Sequence, residues 1–144
     1  MMARFNEGNP MRLLTVLALL LLAALPAWAQ APYANIDNAQ LQALMDRGVP
    51  VVDIRTAPEW KETGTLKGAH RVTAFDERGR GTPDFTARLA EIAKPGDEVV
   101  LICRSGNRTR VVAEALTKQM GYTRVYNVDK GIRPWLAEGR PVEK

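Results

Sequence analysis

Residues 99–109 read VVLICRSGNRT and carry the most informative pattern in the chain. The first four residues are all apolar, as expected for a buried strand in the middle of a parallel sheet. A polar loop begins at Cys103 and leads into a segment with the apolar spacing of a helix. In α/β domains, ligands bind outside the carboxyl ends of the strands. This order therefore places Cys103 at the edge of the sheet where a binding site is expected.

The loop after Cys103 has the composition of an anion-binding loop. Its glycine allows a tight backbone turn, and polar side chains on either side can cap the helix that follows. Backbone N–H groups that converge at a helix N-terminus attract anions, and two arginines add permanent positive charge. A thiol in this environment is expected to ionise readily, so it needs no general base. We predict Cys103 as the catalytic residue and, as substrate-binding residues, Arg104, Ser105, Gly106, Asn107 and Arg108.

The chain from residue 36 to residue 144 alternates between strand-like and helix-like segments. This alternation predicts one α/β domain with a mostly parallel central sheet flanked by helices. Strands are expected at residues 51–54, 70–74, 99–102 and 124–128, and helices from Asp37 or Asn38 to Gly48, around residues 58–61, from Thr82-Pro83 to residue 94, from the loop to Met120 and at residues 132–137.

Two details of these segments follow from residue type and spacing. The hydroxyl of Thr82 and the proline after it are typical of a helix start, so Thr82 is expected to cap its helix. Residues 76–81 are charged and contain glycine, and we expect them to form a mobile loop. In the helix after the Cys103 loop, the residues expected to face the core are Val111, Val112, Ala115 and Leu116.

The first 29 residues have the pattern of a cleavable signal peptide. Basic residues precede an uncharged run at residues 13–25 that is apolar except for Thr15, and Ala-Trp-Ala at residues 27–29 matches a cleavage site. The run is shorter than the roughly 20 apolar residues that a membrane-spanning helix needs, and an uncleaved anchor is the alternative. We expect a periplasmic or secreted protein that starts near residue 30, translated from Met1 or Met11.

The charge balance favours small anionic ligands. The chain has 20 lysines and arginines, 16 aspartates and glutamates, and a formal net charge of +4. Without residues 1–29, which hold two arginines and one glutamate, the net charge becomes +3. The charges are interspersed, with no run of one sign, so we expect neither a nucleic-acid partner nor, after signal cleavage, a membrane.

Cys103 is the only cysteine and His70 the only histidine. An internal disulfide is therefore impossible, and a four-ligand structural zinc site cannot be built. A single thiol in an exported protein indicates a reactive group or an intermolecular bridge, whereas the alternative is a cysteine that simply ends a buried strand. His70 lies in a strand-like segment, and we expect no catalytic role for it. Trp60 and Trp135 are expected to be packing residues.

The segment at residues 99–109 resembles the active-site loop of the rhodanese family, in which cysteine, arginine and glycine lie in a six-residue cradle. Residues 51–60 are similar to the first motif of the family, an Asp-x-Arg strand end followed by glutamate and an aromatic residue. Residues 64–69 resemble its Gly-His-Ile-x-Gly-Ala turn, and residues 127–142 are similar to its C-terminal pattern. The resemblance covers nearly all of residues 36–144 and implies a rhodanese-like domain.

Two residues depart from the family pattern. Thr65 stands where the family usually has histidine, and Lys130 stands where a glycine often precedes Gly131. Both lie outside the loop, so they affect the expected wall of the pocket and not its chemistry. Arg55 and Glu59 are further candidates for that wall, although their i, i+4 spacing favours a structural ion pair.

The resemblance implies a sulfurtransferase that needs no cofactor and no metal. Cys103 would take a sulfane sulfur from a small anionic donor such as thiosulfate and carry it as a persulfide. The acceptor would be cyanide or a thiol, and a protein thiol belongs to the same class. One alternative is a non-catalytic sulfur carrier or partner-binding module that uses the same persulfide. A cysteine phosphatase is less well supported, because its Cys-x5-Arg pattern would need arginine where Thr109 stands.

Overall fold

The computed structural model describes residues 32–144, and these residues contain five β-strands. Every paired neighbour in the sheet runs parallel. The strands are β1 (Ala34–Ile36), β2 (Val51–Asp53), β3 (His70–Arg71), β4 (Glu98–Ile102) and β5 (Arg124–Val128). Their order across the sheet is β1-β5-β4-β2-β3, which places β4 at the centre.

A helix follows each strand along the chain, as the sequence predicts for an α/β domain. The first helix begins after Asp37, whose carboxylate accepts a hydrogen bond from the backbone N–H of Gln40. The side-chain oxygen of Gln40 in turn accepts one from the backbone N–H of Asp37. The helices are α1 (Asn38–Asp46), α2 (Ala57–Thr63), α3 (Phe85–Ile92), α4 (Asn107–Gln119) and α5 (Arg133–Ala137). The predicted fold class is therefore confirmed.

The side chains of β4 alternate between two hydrophobic clusters, one on each face of the sheet. Val99 and Leu101 pack with residues of α3 and α4 in one cluster. Val100 and Ile102 pack with residues of α1 and α5 in the other, which includes the fully buried Trp135. Cys103 continues this alternation and belongs to the cluster beneath α3 and α4.

The prediction for the inner face of α4 is wrong at Val111, which is 55% exposed. Ala115 is only half-buried. The buried positions have the i, i+3, i+4, i+7 spacing of an amphipathic helix, and Val111 falls on the face opposite that stripe. The buried residues of α4 are Thr109, Val112, Ala113 and Leu116.

The end of β3 and the start of α3 also differ from the prediction. Strand β3 is shorter than residues 70–74. The Thr82 hydroxyl does not cap a helix but donates a hydrogen bond to the carbonyl of Thr73, and α3 begins only at Phe85. Residues 76–81 form a hydrogen-bonded turn, because the Asp76 carboxylate accepts bonds from the backbone N–H groups of Arg78 and Arg80.

The predicted signal peptide, residues 1–29, lies outside the described residues. Within residues 32–144, no helix is both long enough and apolar enough to cross a membrane.

Candidate functional site

Cys103 lies directly after β4, at the carboxyl edge of the sheet. Its side chain is fully buried. The sulfur accepts a hydrogen bond from the backbone N–H of Gly106 at 3.1 Å, and the hydroxyl oxygen of Thr109 lies 3.4 Å from the same sulfur. The loop therefore folds back on its own cysteine and offers the sulfur two polar neighbours.

Gly106 allows this return of the loop. Its φ angle is +91°, in the left-handed region that favours glycine. A β-carbon at this position would lie 1.9 Å from the carbonyl oxygen of Asp129. The sequence predicts a glycine for the turn, but the close approach of Asp129 is a second requirement that becomes visible only in the structure.

The turn after β5 supports the loop from the other side. A β-carbon on Gly131, whose φ angle is +64°, would lie 2.4 Å from the carbonyl carbon of Arg104 and 2.5 Å from the nitrogen of Ser105. The backbone N–H of Ile132 donates a hydrogen bond of 2.8 Å to the carbonyl of Cys103. The two backbones are therefore in direct contact, and Gly131 is a positioning residue for the loop.

The loop has further backbone donors that find no acceptor in the described part of the chain. Among residues 32–144, no acceptor pairs with the N–H groups of Arg104, Ser105, Asn107 and Arg108. The side chains of Arg104 and Asn107 are exposed, and that of Ser105 is half-buried. Free N–H groups at the start of a helix are suited to an anionic ligand.

Arg108 forms a two-point ion pair with Glu59 at the start of α2. The nitrogen–oxygen distances are 2.6 Å and 2.8 Å. Burial acts to raise the pKa of Glu59, but hydrogen bonds from Arg108 and from the backbone N–H of Thr56 outweigh it and lower that pKa from 4.5 to about 2. Glu59 is therefore ionised at neutral pH, and much of the charge of Arg108 is already compensated.

The predicted ion pair between Arg55 and Glu59 is wrong. Arg55 instead pairs with Asp53, at 2.8 Å, and both side chains are fully buried. Arg55 also donates hydrogen bonds to the Thr63 hydroxyl and to the carbonyl of Gly64. Arg55 and Glu59 do border, together with Arg104, a small recess of about 100 Å³, so their role as pocket wall remains a prediction.

The two departures from the family pattern lie in different environments. Thr65 is fully buried, and its hydroxyl donates a hydrogen bond of 2.6 Å to the Asp53 carboxylate. Thr65 therefore belongs to the buried polar network of Arg55. Lys130 is exposed in the turn that supports the loop. His70 is exposed in β3 and borders a different groove, next to residues such as Met45.

The sequence matches a known protein family over most of its length. The family model of the rhodanese-like domain matches residues 37–138. The chain belongs to the rhodanese-like domain family. The matched range of this rhodanese-like domain contains the Cys103 loop, Glu59 and the supporting turn at Gly131. Within residues 32–144, no group of three or more His, Cys, Asp or Glu residues is arranged to hold a metal ion.

Similar proteins include sulfurtransferases. A sulfurtransferase of Allochromatium vinosum is 36% identical over 110 residues, which cover 75% of this chain and 92% of the relative. The thiosulfate sulfurtransferase GlpE of Pseudomonas savastanoi pv. phaseolicola is 31% identical over 105 residues, covering 73% of this chain and 89% of the relative. The crystal structure of Rv0390 from Mycobacterium tuberculosis matches with a TM-score of 0.62 and 25% identity, over 76% of this chain and 98% of that one.

Two features of this rhodanese-like site go beyond the sequence prediction. Thr109 is not among the predicted site residues, yet its hydroxyl approaches the sulfur of Cys103. The burial of Thr109 could have been predicted from the sequence, because residues 109, 112, 113 and 116 have the spacing of one helix face. That face is the buried side of α4. The contact of Gly131 with the loop has no such local signal.

Proposed function

We propose that this rhodanese-like domain transfers sulfane sulfur from an anionic donor such as thiosulfate to a thiol or cyanide acceptor, with Cys103 carrying the sulfur as a persulfide. The environment of the Cys103 sulfur is the main support for this proposal. The sulfur lies at the end of β4, 3.1 Å from the backbone nitrogen of Gly106, in a loop with further unused N–H donors. These groups suit a reaction in which sulfur carries negative charge throughout.

The first half-reaction needs only Cys103 and the donor. The Cys103 thiolate attacks the outer sulfur of thiosulfate and forms a sulfur–sulfur bond. The bond between the two donor sulfurs breaks, and its electron pair leaves with sulfite. The total charge does not change, since one thiolate is replaced by one persulfide anion and the dianionic donor by dianionic sulfite. The loop N–H groups would stabilise both anions.

The second half-reaction returns the cysteine to its starting state. The acceptor nucleophile attacks the outer sulfur of the persulfide, and the bond to the Cys103 sulfur breaks. The electron pair of that bond restores the thiolate, while cyanide becomes thiocyanate or a thiol becomes a persulfide. Only the substrates and Cys103 change oxidation state in the two half-reactions. No further oxidant or reductant is therefore needed.

The burial of Cys103 sets a condition for both half-reactions. Its side chain is fully buried, so the sulfur meets a donor only after a local displacement of the loop or its neighbours. The loop is held on one side by the Glu59–Arg108 pair and on the other by the turn at Gly131.

A phosphatase reaction is less well supported by this loop. The position six residues after Cys103 is Thr109, whose hydroxyl faces the sulfur and the carbonyl of Gly106. Arg108, one position earlier, is bound by Glu59 through both terminal nitrogens. An arginine free to hold a phosphate at the end of the loop is therefore lacking among these residues.

We also propose that the protein acts outside the cytoplasm, on the strength of residues 1–29. The apolar run at residues 13–25 and the Ala-Trp-Ala segment after it favour cleavage near residue 30. N-terminal sequencing of protein recovered from the periplasm or medium tests this. A chain that retains residues 13–25 would show an anchor instead.

The mass of the purified protein tests the proposed chemistry. Wild-type protein exposed to thiosulfate should gain the mass of one sulfur atom, and cyanide should remove it with release of one equivalent of thiocyanate. Cys103→Ser should show neither change, because a hydroxyl is not ionised at neutral pH. Repeated turnover with small acceptors separates an enzyme from a sulfur carrier. A wild-type protein that gains no sulfur from thiosulfate would contradict the proposal.

A further inference from the structure

A cleft of about 620 Å³ opens beside the Cys103 loop. It lies between the start of α2, the turn that follows β3 and the first turns of α4. Asn107 and Arg108, the fourth and fifth residues after Cys103, border it directly. Any molecule in this cleft therefore contacts the loop that carries the reactive cysteine. The cleft is also lined by Phe75, Asp76, Glu77 and Val111.

Two of these residues give the cleft an apolar surface that is open to solvent. Val111 is 55% exposed, and within residues 32–144 only Met120 is another exposed large hydrophobic residue. Phe75 is half-buried and packs against the hydrophobic cluster beneath α3 and α4. Exposed apolar surface beside a reactive group marks a place where a partner or ligand binds.

The wall opposite Val111 is fixed by its own hydrogen bonds. The Asp76 carboxylate accepts bonds of 2.9 Å from the backbone N–H groups of Arg78 and Arg80, and it forms an ion pair of 2.8 Å with Arg80. An antiparallel bridge joins Phe75 to Gly81 at the base of the turn. The cleft is therefore a preformed feature of the fold.

The charges that line the cleft are mostly negative. Glu59 and Arg108 compensate each other through their two-point ion pair. Asp76 is compensated at the rim by Arg80, whereas Glu77 forms no ion pair within residues 32–144. The cleft thus combines apolar walls with uncompensated negative charge, which disfavours an anionic ligand.

The recess on the other flank of Glu59 has a different character. It is bordered by two exposed arginines, Arg104 and Arg133, and by one exposed carboxylate, Glu62, and none of the three forms an ion pair among residues 32–144. The unpaired charge of this recess is therefore positive on balance. An anionic sulfur donor is better matched to that flank of the loop. The two sides of the loop therefore differ in the charge of the ligand that they favour.

We propose that the cleft between Phe75 and Val111 binds the sulfur acceptor, and that this acceptor is a cysteine thiol on an apolar peptide segment that is neutral or basic. The inference rests on the proposed function. The peptide thiolate attacks the outer sulfur of the Cys103 persulfide, the bond to the Cys103 sulfur breaks, and its electron pair restores the Cys103 thiolate. The peptide leaves as a persulfide. A cleft of this volume is far larger than cyanide needs and suits several side chains.

Two synthetic peptides with blocked ends test the charge preference. Each carries a central cysteine flanked by leucines, with two lysines in one peptide and two glutamates in the other. With wild-type protein, previously loaded with sulfur from thiosulfate, the lysine peptide should show the higher kcat/KM. The intrinsic reactivity of the peptides cancels when the ratio of their kcat/KM values is compared between protein variants. In Glu77→Lys that ratio should fall roughly tenfold at low ionic strength, and salt should reduce the difference.

A second comparison tests the apolar wall. Val111→Ser should lower the ratio of kcat/KM for the leucine peptide to kcat/KM for cyanide roughly fivefold, as expected when most of one valine side chain is no longer buried on binding. Met120→Ser is the matched control, because Met120 is exposed at the other end of the same helix. Its ratio should equal that of wild type.

The outcomes separate this inference from the proposed function. If wild-type protein gains no sulfur from thiosulfate, the proposed function fails before any acceptor is added. If the persulfide forms and passes to cyanide, but Glu77→Lys and Val111→Ser leave both ratios unchanged, the acceptor does not bind in this cleft. A Met120→Ser variant that lowers the peptide-to-cyanide ratio as much as Val111→Ser would also overturn the inference.

Discussion

Glu59 holds Arg108 by two hydrogen bonds, 2.6 Å from Oε1 to Nη2 and 2.8 Å from Oε2 to Nη1, across 49 positions of sequence. The pair connects the start of α2 to the start of α4. Glu59 also accepts hydrogen bonds from the backbone N–H and the hydroxyl of Thr56. Because both partners are only partly exposed, this contact fixes one end of the Cys103 loop.

The stability that Glu59 contributes should depend on pH. Its pKa is lowered to about 2, so the folded protein favours the ionised form over the unfolded chain, in which the pKa is near its ordinary value of 4.5. The contribution should therefore be fully present above about pH 5 and decline as the pH falls toward 2. In Glu59→Gln, we expect unfolding free energy at pH 7 to drop on the order of 2 kcal/mol. Denaturant unfolding at several pH values measures this.

A difference between Glu59→Gln and wild type that does not shrink below pH 4 would contradict this linkage. Glu62→Gln is the control, since Glu62 lies on the same helix and forms no ion pair within residues 32–144. Its unfolding free energy should stay close to that of wild type across the same pH range.

The planar shape of the Arg108 side chain is expected to matter more than its charge. Arg108→Lys keeps the charge but cannot form two parallel hydrogen bonds to one carboxylate. We expect kcat/KM for thiosulfate to fall roughly tenfold while the fold persists. Arg110→Lys is the control, because Arg110 is exposed on the same helix and forms no ion pair among residues 32–144. Unchanged kinetics in Arg108→Lys would show that the paired hydrogen bonds to Glu59 do not affect the binding or reaction of the donor.

The sequence predicts those parts of the fold that depend on local residue patterns. The apolar run at residues 99–102 correctly identifies the central strand, and the polar loop after it correctly marks the carboxyl edge of the sheet. The start of α1 is also predicted, because Asp37 is one of the two capping residues that the sequence offers, and the structure selects it over Asn38. These patterns depend on residues that are neighbours in sequence, so contacts with distant segments do not alter them.

The errors arise where tertiary contacts decide the outcome. The i, i+4 rule for ion pairs holds within a helix, but α2 begins at Ala57, so Arg55 precedes it and turns to Asp53 instead. Val111 is apolar, yet the rotation of α4 is set by the buried residues of its inner stripe, and Val111 remains in the cleft. The contact between Gly131 and Arg104 joins distant segments, which no periodicity reveals.

Gly131 should be intolerant of a side chain because of that contact. In Gly131→Ala, the new methyl group would lie 2.4 Å from the carbonyl carbon of Arg104, and the φ angle of +64° would add backbone strain. Gly139→Ala is a matched control, since its φ angle is +65° and nothing lies within 4 Å of the added methyl group. Both variants should lose about 1 kcal/mol from the unfavourable φ angle.

Only Gly131→Ala should lose a further 1–3 kcal/mol or so from overpacking, together with most of its sulfur-transfer activity. Thermal unfolding and thiosulfate turnover, measured on both variants, separate the two contributions. If both variants behaved alike, the turn after β5 would not be what positions the Cys103 loop.

The Thr109 hydroxyl is expected to assist the reaction of Cys103. It is fully buried, lies 3.4 Å from the sulfur and can donate its proton either to that sulfur or to the carbonyl of Gly106. When Cys103 is a thiolate, donation to the sulfur stabilises the negative charge in surroundings that water does not reach. Thr109→Val keeps the shape of the side chain but removes the donor, so persulfide formation from thiosulfate should slow roughly tenfold.

A merely structural role for Thr109 predicts a different result. Loss of packing or of the bond to Gly106 would lower the unfolding temperature but leave the rate of persulfide formation unchanged. Loss of a donor to the thiolate should slow that rate, and Thr109→Ser, which restores the hydroxyl, should recover it. Rapid-mixing measurements of sulfur loading, made beside thermal unfolding of the three proteins, distinguish these cases. A Thr109→Val variant that loads sulfur at the wild-type rate would show that the hydroxyl only supports the loop.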